Sequence, residues 1–250
     1  MKFNNPLLAL LLISVIFSGC SSNSEKPIKD KSDSAAPKEI KNASSEQPAA
    51  KPTSAIVPSS VLPVGPVMPN PYLQNPQKLS EQVEVNFHDA VVSIQQKNWD
   101  RAEAVLKQLA EKNPKLSGVH LNLGIVYRNK GDAEKAAAEF NRAINANPKN
   151  VDAYNQLAVL KREAGDFASA ESLYQKALGV WPFYPEGHKN IAILYDLYLG
   201  KPEQALPHYQ AYQQLLSAPD KQVDSWVADL QRRLNGGKAT EKAPEKEEQK

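Results

Sequence analysis

The chain has 250 residues, with 30 basic and 28 acidic side chains, a formal net charge of +2 and one cysteine. So small a charge excess gives no footprint for nucleic acid or an anionic surface, and a lone cysteine excludes an intrachain disulfide. No phosphate-binding glycine loop, zinc-type His/Glu spacing or cysteine nucleophile is present, so the chain reads as a non-enzyme without a metal.

Residues 1–19 carry Lys2 and then an apolar run from Pro6 to Phe17, too short to span a bilayer as a mature helix. They read as a secretory signal and are set aside from the fold. The run ends Phe17-Ser18-Gly19-Cys20, followed by Ser21 and Ser22. This resembles the bacterial lipobox, although Phe17 stands where Leu is usual. The resemblance implies that Cys20 is lipidated and becomes the mature N-terminus. With Ser rather than Asp at position 21, it also implies a place on the periplasmic face of the outer membrane. A triacylated cysteine buries enough CH2 groups, at ~0.8 kcal/mol each, for stable anchoring. That covalent lipid is the one non-protein group expected. Removal of residues 1–19 leaves 29 basic against 28 acidic residues.

Residues 20–78 are rich in Pro, Ser, Ala and Lys, and ten of the 19 prolines lie between Pro27 and Pro76. Such a composition cannot build a core, so the stretch is expected to be a disordered tether. As a flexible coil, roughly 60 residues span about 40 Å. Within it, residues 56–73 are more apolar and suit docking on the folded part or on a partner as an extended strand.

The folded part is expected over residues 79–235, organised around 117–150. There His120, Leu123, Gly124 and Tyr127 fall on one face of a first helix, and Ala136, Phe140 and Ala143 lie on a second that Pro148 stops. Gly124 and Ala136 are small where the helices cross. Gly131 suits the positive φ of a helix end, and Asp132 offers an N-cap oxygen. Stepping by 34 residues finds the pattern again. Residues 151–184 place Leu157, Ala158, Ala170, Tyr174, Ala177 and Pro182 on it, and residues 83–116 place Ala90, Ala102, Leu106 and Pro114. In residues 185–218, His188, Ile191, Ala192 and Tyr195 fit, but Ala205 arrives one residue late. An insertion in the turn near 199–201 is expected, and Pro207 should kink the helix that follows.

The order Leu-Gly-x-x-Tyr, Ala-x-x-x-Phe, Pro at this period resembles the tetratricopeptide repeat. The resemblance implies an all-α, right-handed α-solenoid of about four helix hairpins. After Pro219, Val223, Trp226, Val227, Leu230 and Leu234 form one apolar stripe, read as a capping helix over 219–235. Residues 236–250, with four Lys and four Glu, read as a disordered tail. His120 and His188 occupy the place where the repeat usually carries Trp and are expected to be packing residues.

Opposite the packing face, the first helices carry two rows at 34-residue spacing. His88, Asn122, Gln156 and Asn190 form a hydrogen-bonding row, and Val91, Ile125, Val159 and Ile193 form an apolar row. Asn129 lies on the same face as Asn122 and Ile125. An amide both donates and accepts, so a row of them can hold a peptide backbone while the apolar row takes side chains. This resembles the amide ladder of peptide-binding tetratricopeptide domains. Arg128, Arg162 and Lys189 flank the groove and suit an acidic or C-terminal segment.

The resemblance implies an anchored periplasmic adaptor that binds an envelope protein or extended peptide. Tetratricopeptide lipoproteins serve pilus secretin assembly, peptidoglycan-enzyme control and TonB-type systems, and the sequence does not choose among them. A structural spacer between outer membrane and peptidoglycan is the alternative. Nucleic acid is not an expected partner, and the oligomeric state stays open.

Overall fold

The computed structural model describes residues 61–74 and 76–240, with side chains described through residue 236. The signal sequence, Cys20 and most of the expected tether lie outside the described residues, as do residues 241–250. Among the described residues every regular element is helical. Four hairpins follow in order: α1 (Glu81–Gln95) with α2 (Trp99–Lys112), α3 (Ser117–Asn129) with α4 (Ala133–Ala146), α5 (Val151–Glu163) with α6 (Phe167–Val180), and α7 (Pro185–Ile193) with α8 (Pro202–Leu215). A last helix, α9 (Lys221–Thr240), covers α8. The fold is an all-α solenoid.

The 34-residue period has a local cause at each hairpin turn. Asn98, Asp132 and Asp166, each at the N-cap of a second helix, accept from Arg101 N, Lys135 N and Ser169 N at 3.0–3.3 Å. The preceding turn needs a left-handed residue, and Lys97, Gly131 and Gly165 supply φ values of 57°, 82° and 78°. Each hairpin packs on the next through its second helix, α2 against α3, α4 against α5 and α6 against α7. Successive first helices also touch, α1 with α3, α3 with α5 and α5 with α7, so these helices line one side of the array.

Inside each hairpin, small residues set the crossing. A Cβ on Gly124 would stand 2.5 Å from Phe140 Cε1, so only glycine lets α3 and α4 close over that ring. Ala102, Ala136, Ala170 and Ala205 are fully buried, as are Phe140 and Ala143. One core cluster joins α5 through α9. It includes Tyr174, Tyr209, Val223 and Leu230, with Trp226 packed against it and its ring 5.8 Å from Tyr209. The apolar stripe of α9 thus meets the core as expected for a cap.

Three expectations are corrected. The extra residue of the fourth hairpin is not in the turn near 199–201. It is absorbed as a π turn, Leu194–Tyr198, in which Leu199 N donates to Leu194 O. The hairpin-closing bond is then one residue wider. Asp132 N and Asp166 N reach back five residues, to Tyr127 O and Lys161 O, whereas Lys201 N reaches back six, to Tyr195 O. Gly200, at φ 59°, takes the left-handed place one residue later than the period gives. Pro207 lies inside α8 and is buried; Lys201 gives α8 no side-chain cap, but Pro202 opens it at a position needing no N–H donor. Second, α9 runs five residues past Asn235, through Gly236, into what composition assigns to the tail. Third, the tether expected over residues 20–78 does not extend through residues 61–74, which lie on the array, as suits the docking of the apolar stretch 56–73. Trp181 Nε1 donates to Met68 O at 2.8 Å, and the Tyr72 hydroxyl sits where a Cβ on Gly118 would come within 3.3 Å. An apolar segment with an aromatic at its end can bury surface that a Lys/Ser/Pro average hides.

Candidate protein-binding groove

The rows expected on the first helices are present as rows, but their side chains are not equally available. His88 is exposed on α1. Asn122 Nδ2 donates to Gly118 O at 2.8 Å and Asn129 Nδ2 to Ile125 O at 2.8 Å, so both amides lie along their own helix. Such bonds to an i−4 carbonyl are easily exchanged for a ligand. Gln156 Oε1 accepts from Arg128 Nη1 at 3.3 Å, and Asn190 Nδ2 donates to Asn155 Oδ1 at 2.9 Å. The hydrogen-bonding row is therefore committed at its α5 and α7 positions and open at α1 and α3. In the apolar row Val91 and Ile125 are half-buried. Val159 belongs to the core cluster with 7% of its surface exposed, and Ile193 packs against that cluster. Val159 is thus a packing residue: the α5–α7 contact closes over it.

The three flanking cations divide in the same way. Arg128 donates to both carboxylate oxygens of Glu163, at 2.5 and 3.4 Å. Lys189 donates to Asp220 Oδ2 at 3.0 Å and lies 5.0 Å from the centre of the Tyr212 ring, so it fastens the segment leading into α9. Desolvation of Lys189 works against its charge, but Asp220 and Tyr212 outweigh it and hold its ammonium above the usual lysine range. Arg162 has its Nε and Nη1 buried without an acceptor. The Tyr198 ring lies 5.6 Å from its Cζ. Nearby, the fully buried Tyr174 also has an unpartnered hydroxyl, pushed up to about 12 by burial, with Arg162 the strongest opposing influence.

The two repeat-place histidines are buried, and each is held by a proline carbonyl six residues earlier. His120 Nε2 lies 3.0 Å from Pro114 O and His188 Nε2 2.8 Å from Pro182 O. Their other nitrogens meet different groups, Glu139 Oε2 at 2.7 Å and His208 Nδ1 at 2.9 Å. Neither the Glu139 nor the His208 partner was read from the sequence. The signal was available: the two stand 69 residues apart, two periods plus the inserted residue. No cluster of three or more His, Cys, Asp or Glu with metal-site placement occurs among the described residues. An open cavity of about 350 Å³ beside His208 is lined by Leu178, Pro182, Ile191 and Tyr195 and closed on one side by Val61 and Pro63.

Comparison with known proteins agrees with this geometry. One model of the tetratricopeptide repeat matches residues 93–160 and a second matches residues 151–181. These residues are tetratricopeptide repeats. No curated protein matches the chain. Among solved structures, Pseudomonas aeruginosa PilF superposes with a TM-score of 0.57 at 19% identity, over 62% of this chain and 70% of that one. A thermophilic tetratricopeptide protein of Thermus thermophilus gives 0.52 at 23% identity, over 63% and 83%. A MamA RS-1 double mutant gives 0.53 at 14% identity, over 65% and 90%. At these identities the likeness is one of fold.

Proposed function

We propose that the protein is an envelope adaptor, held at the outer membrane by a lipid on Cys20, that binds an extended segment of a periplasmic protein along its first helices. The observation that carries the binding reading is the side-by-side packing of α1, α3, α5 and α7. It leaves His88, Val91, Asn122, Ile125 and Asn129 uncommitted to the core on one continuous face. The anchoring half rests on the apolar leader and on Cys20, the only cysteine in the chain, at its end. The partner belongs to an assembly in which a tethered scaffold positions a second protein, such as a pilus or secretion machine, a cell-wall enzyme or a TonB-type system.

Site-specific photo-crosslinking in the native envelope tests this. A crosslinker at Ile125 should give a discrete protein adduct, and one at the exposed Asn141 on the second helix α4 should not. Adducts of equal yield from both positions, or none from Ile125, would contradict binding along the first helices. Labelled fatty acid should enter the wild-type chain and not Cys20→Ser, with release of the variant from the membrane fraction. A variant that stays membrane-bound beside an unlabelled wild type would remove the anchor.

A further inference from the structure

Arg128 and Arg162 hold the same place in consecutive repeats, 34 residues apart. Arg128 is satisfied by the following repeat, through Glu163 and Gln156. One repeat on, the place of Gln156 falls to Asn190, whose amide is turned to Asn155. The place of Glu163 falls to the π turn, where Leu197 and Tyr198 stand. No acceptor therefore reaches Arg162 from the fourth repeat. Its Nε and Nη1 and the Tyr174 hydroxyl are the buried side-chain polar atoms without a partner among the described residues. Arg162 is half-buried, and a guanidinium cannot give up its proton, so these two buried N–H edges belong to a group that stays charged and have no acceptor. Two apolar side chains of the π turn are exposed beside it, Leu197 at 67% and Tyr198 at 47%. Tyr198 faces the guanidinium across 5.6 Å. A cation–π contact supplies no hydrogen-bond acceptor, so it leaves the N–H groups of the guanidinium to a carboxylate.

We propose that Arg162, with the Tyr174 hydroxyl behind it, receives a glutamate or aspartate side chain of the protein partner. That carboxylate stands to Arg162 as Glu163 stands to Arg128, and an apolar neighbour in the partner rests on Leu197 and Tyr198. The assignment rests on the reading of the first-helix face as a protein-binding groove, and it gives that groove an acidic, apolar-flanked ligand. The fourth repeat sets no acid at the place of Glu163, and the acid of its π turn, Asp196, is bonded to Arg233, so the partner completes the ladder.

The test follows the Arg162 Nε–H resonance of the 15N-labelled Cys20→Ser chain, assigned by its loss in Arg162→Lys. The probes are acetyl-Leu-Glu-Leu-amide, acetyl-Leu-Gln-Leu-amide, and acetyl-Leu-Gln-Leu with a free terminal carboxylate. The Glu peptide should shift the resonance and the Gln amide should not. Leu197→Glu, which supplies an internal acceptor, should raise the melting temperature and weaken the Glu peptide at least tenfold. A shift by the free terminal carboxylate alone would overturn the side-chain assignment in favour of a chain end. An unmoved resonance in every arm, or unchanged affinity in Leu197→Glu, would overturn the site. If the Ile125 crosslink persisted in Arg162→Met and Leu197→Glu, the groove would stand and this site would fall.

Discussion

The second and fourth repeats hang the same histidine from the same proline carbonyl and differ in what they set against it. In the second, both ring nitrogens of His120 face oxygen acceptors, Pro114 O and Glu139, and Arg142 joins Glu139 from the next turn. The contact is buried: the Glu139 side chain is 7% exposed. In the fourth, His188 donates from Nε2 to Pro182 O, so its Nδ1 accepts from His208 Nδ1–H and both rings are neutral. Burial pushes the His208 imidazole down to about 3 and lowers His188 as well. One repeat is closed by a buried histidine–carboxylate contact and kept in register; the other sets two neutral imidazoles together, carries the inserted residue, and exposes Leu197 and Tyr198. The difference teaches that the regular repeats are the scaffold and that the departures gather at the third-to-fourth junction, where Arg162 is unpaired.

The largest expected effect breaks the regular side of the comparison. Phe140→Ala empties the space that Gly124 was kept small to admit and should cost about 3–5 kcal/mol in urea or thermal melts. An unchanged melt would contradict the α3–α4 crossing described here. Glu139→Ala comes next: it leaves His120 Nδ1 buried without its acceptor and should cost about 1–3 kcal/mol. Loss of less than that in a melt at neutral pH would show that the second repeat does not depend on this contact.

The fourth repeat should show itself through pH. A histidine whose folded value lies near 3, against the usual 6.5 when unfolded, binds its proton in the unfolded state first. His208 therefore lowers stability progressively as pH falls from about 6.5 to about 3, and has no such effect above 6.5. His208→Leu should flatten that part of the melting-temperature profile. An unchanged slope between about pH 6.5 and 3 in His208→Leu would contradict a buried, neutral His208.

The smallest effect belongs to the groove amides. Asn122 and Asn129 bond only their own helix carbonyls, so Asn122→Ala and Asn129→Ala should each leave the melting temperature within the shift expected of a surface change, about 0.5 kcal/mol or less. A larger loss would mean that the amides belong to the fold and are not reserved for a ligand.

The hairpins were legible because their determinants are local and repeated. Asp132 and Asp166 cap, Gly131 and Gly165 turn, and Gly124 against Phe140 sets the crossing, each at fixed offsets. The π turn was not legible: an extra residue can widen a turn or a helix, and the choice depends on how Tyr195 and Leu199 pack against α8. The groove was legible as two rows and illegible as to which members were free. Spacing placed Gln156 and Asn190 correctly on the face, but their partners, Arg128 and Asn155, come from neighbouring repeats. Val159 shows the same limit: its helix position equals that of Ile125, and only the approach of α7 makes it core. The docking of residues 61–74 turns on Trp181 and Gly118, more than 40 residues away.

The most direct test of binding along the first helices is titration of the protein recovered with the Ile125 crosslink against the purified Cys20→Ser chain and its Ile125→Asp variant, with melts run in parallel. A charge in the half-buried apolar row should weaken binding by at least tenfold while the melting temperature stays within a few degrees of the parent. Equal affinity at equal stability would contradict the account and move the binding surface off the first helices.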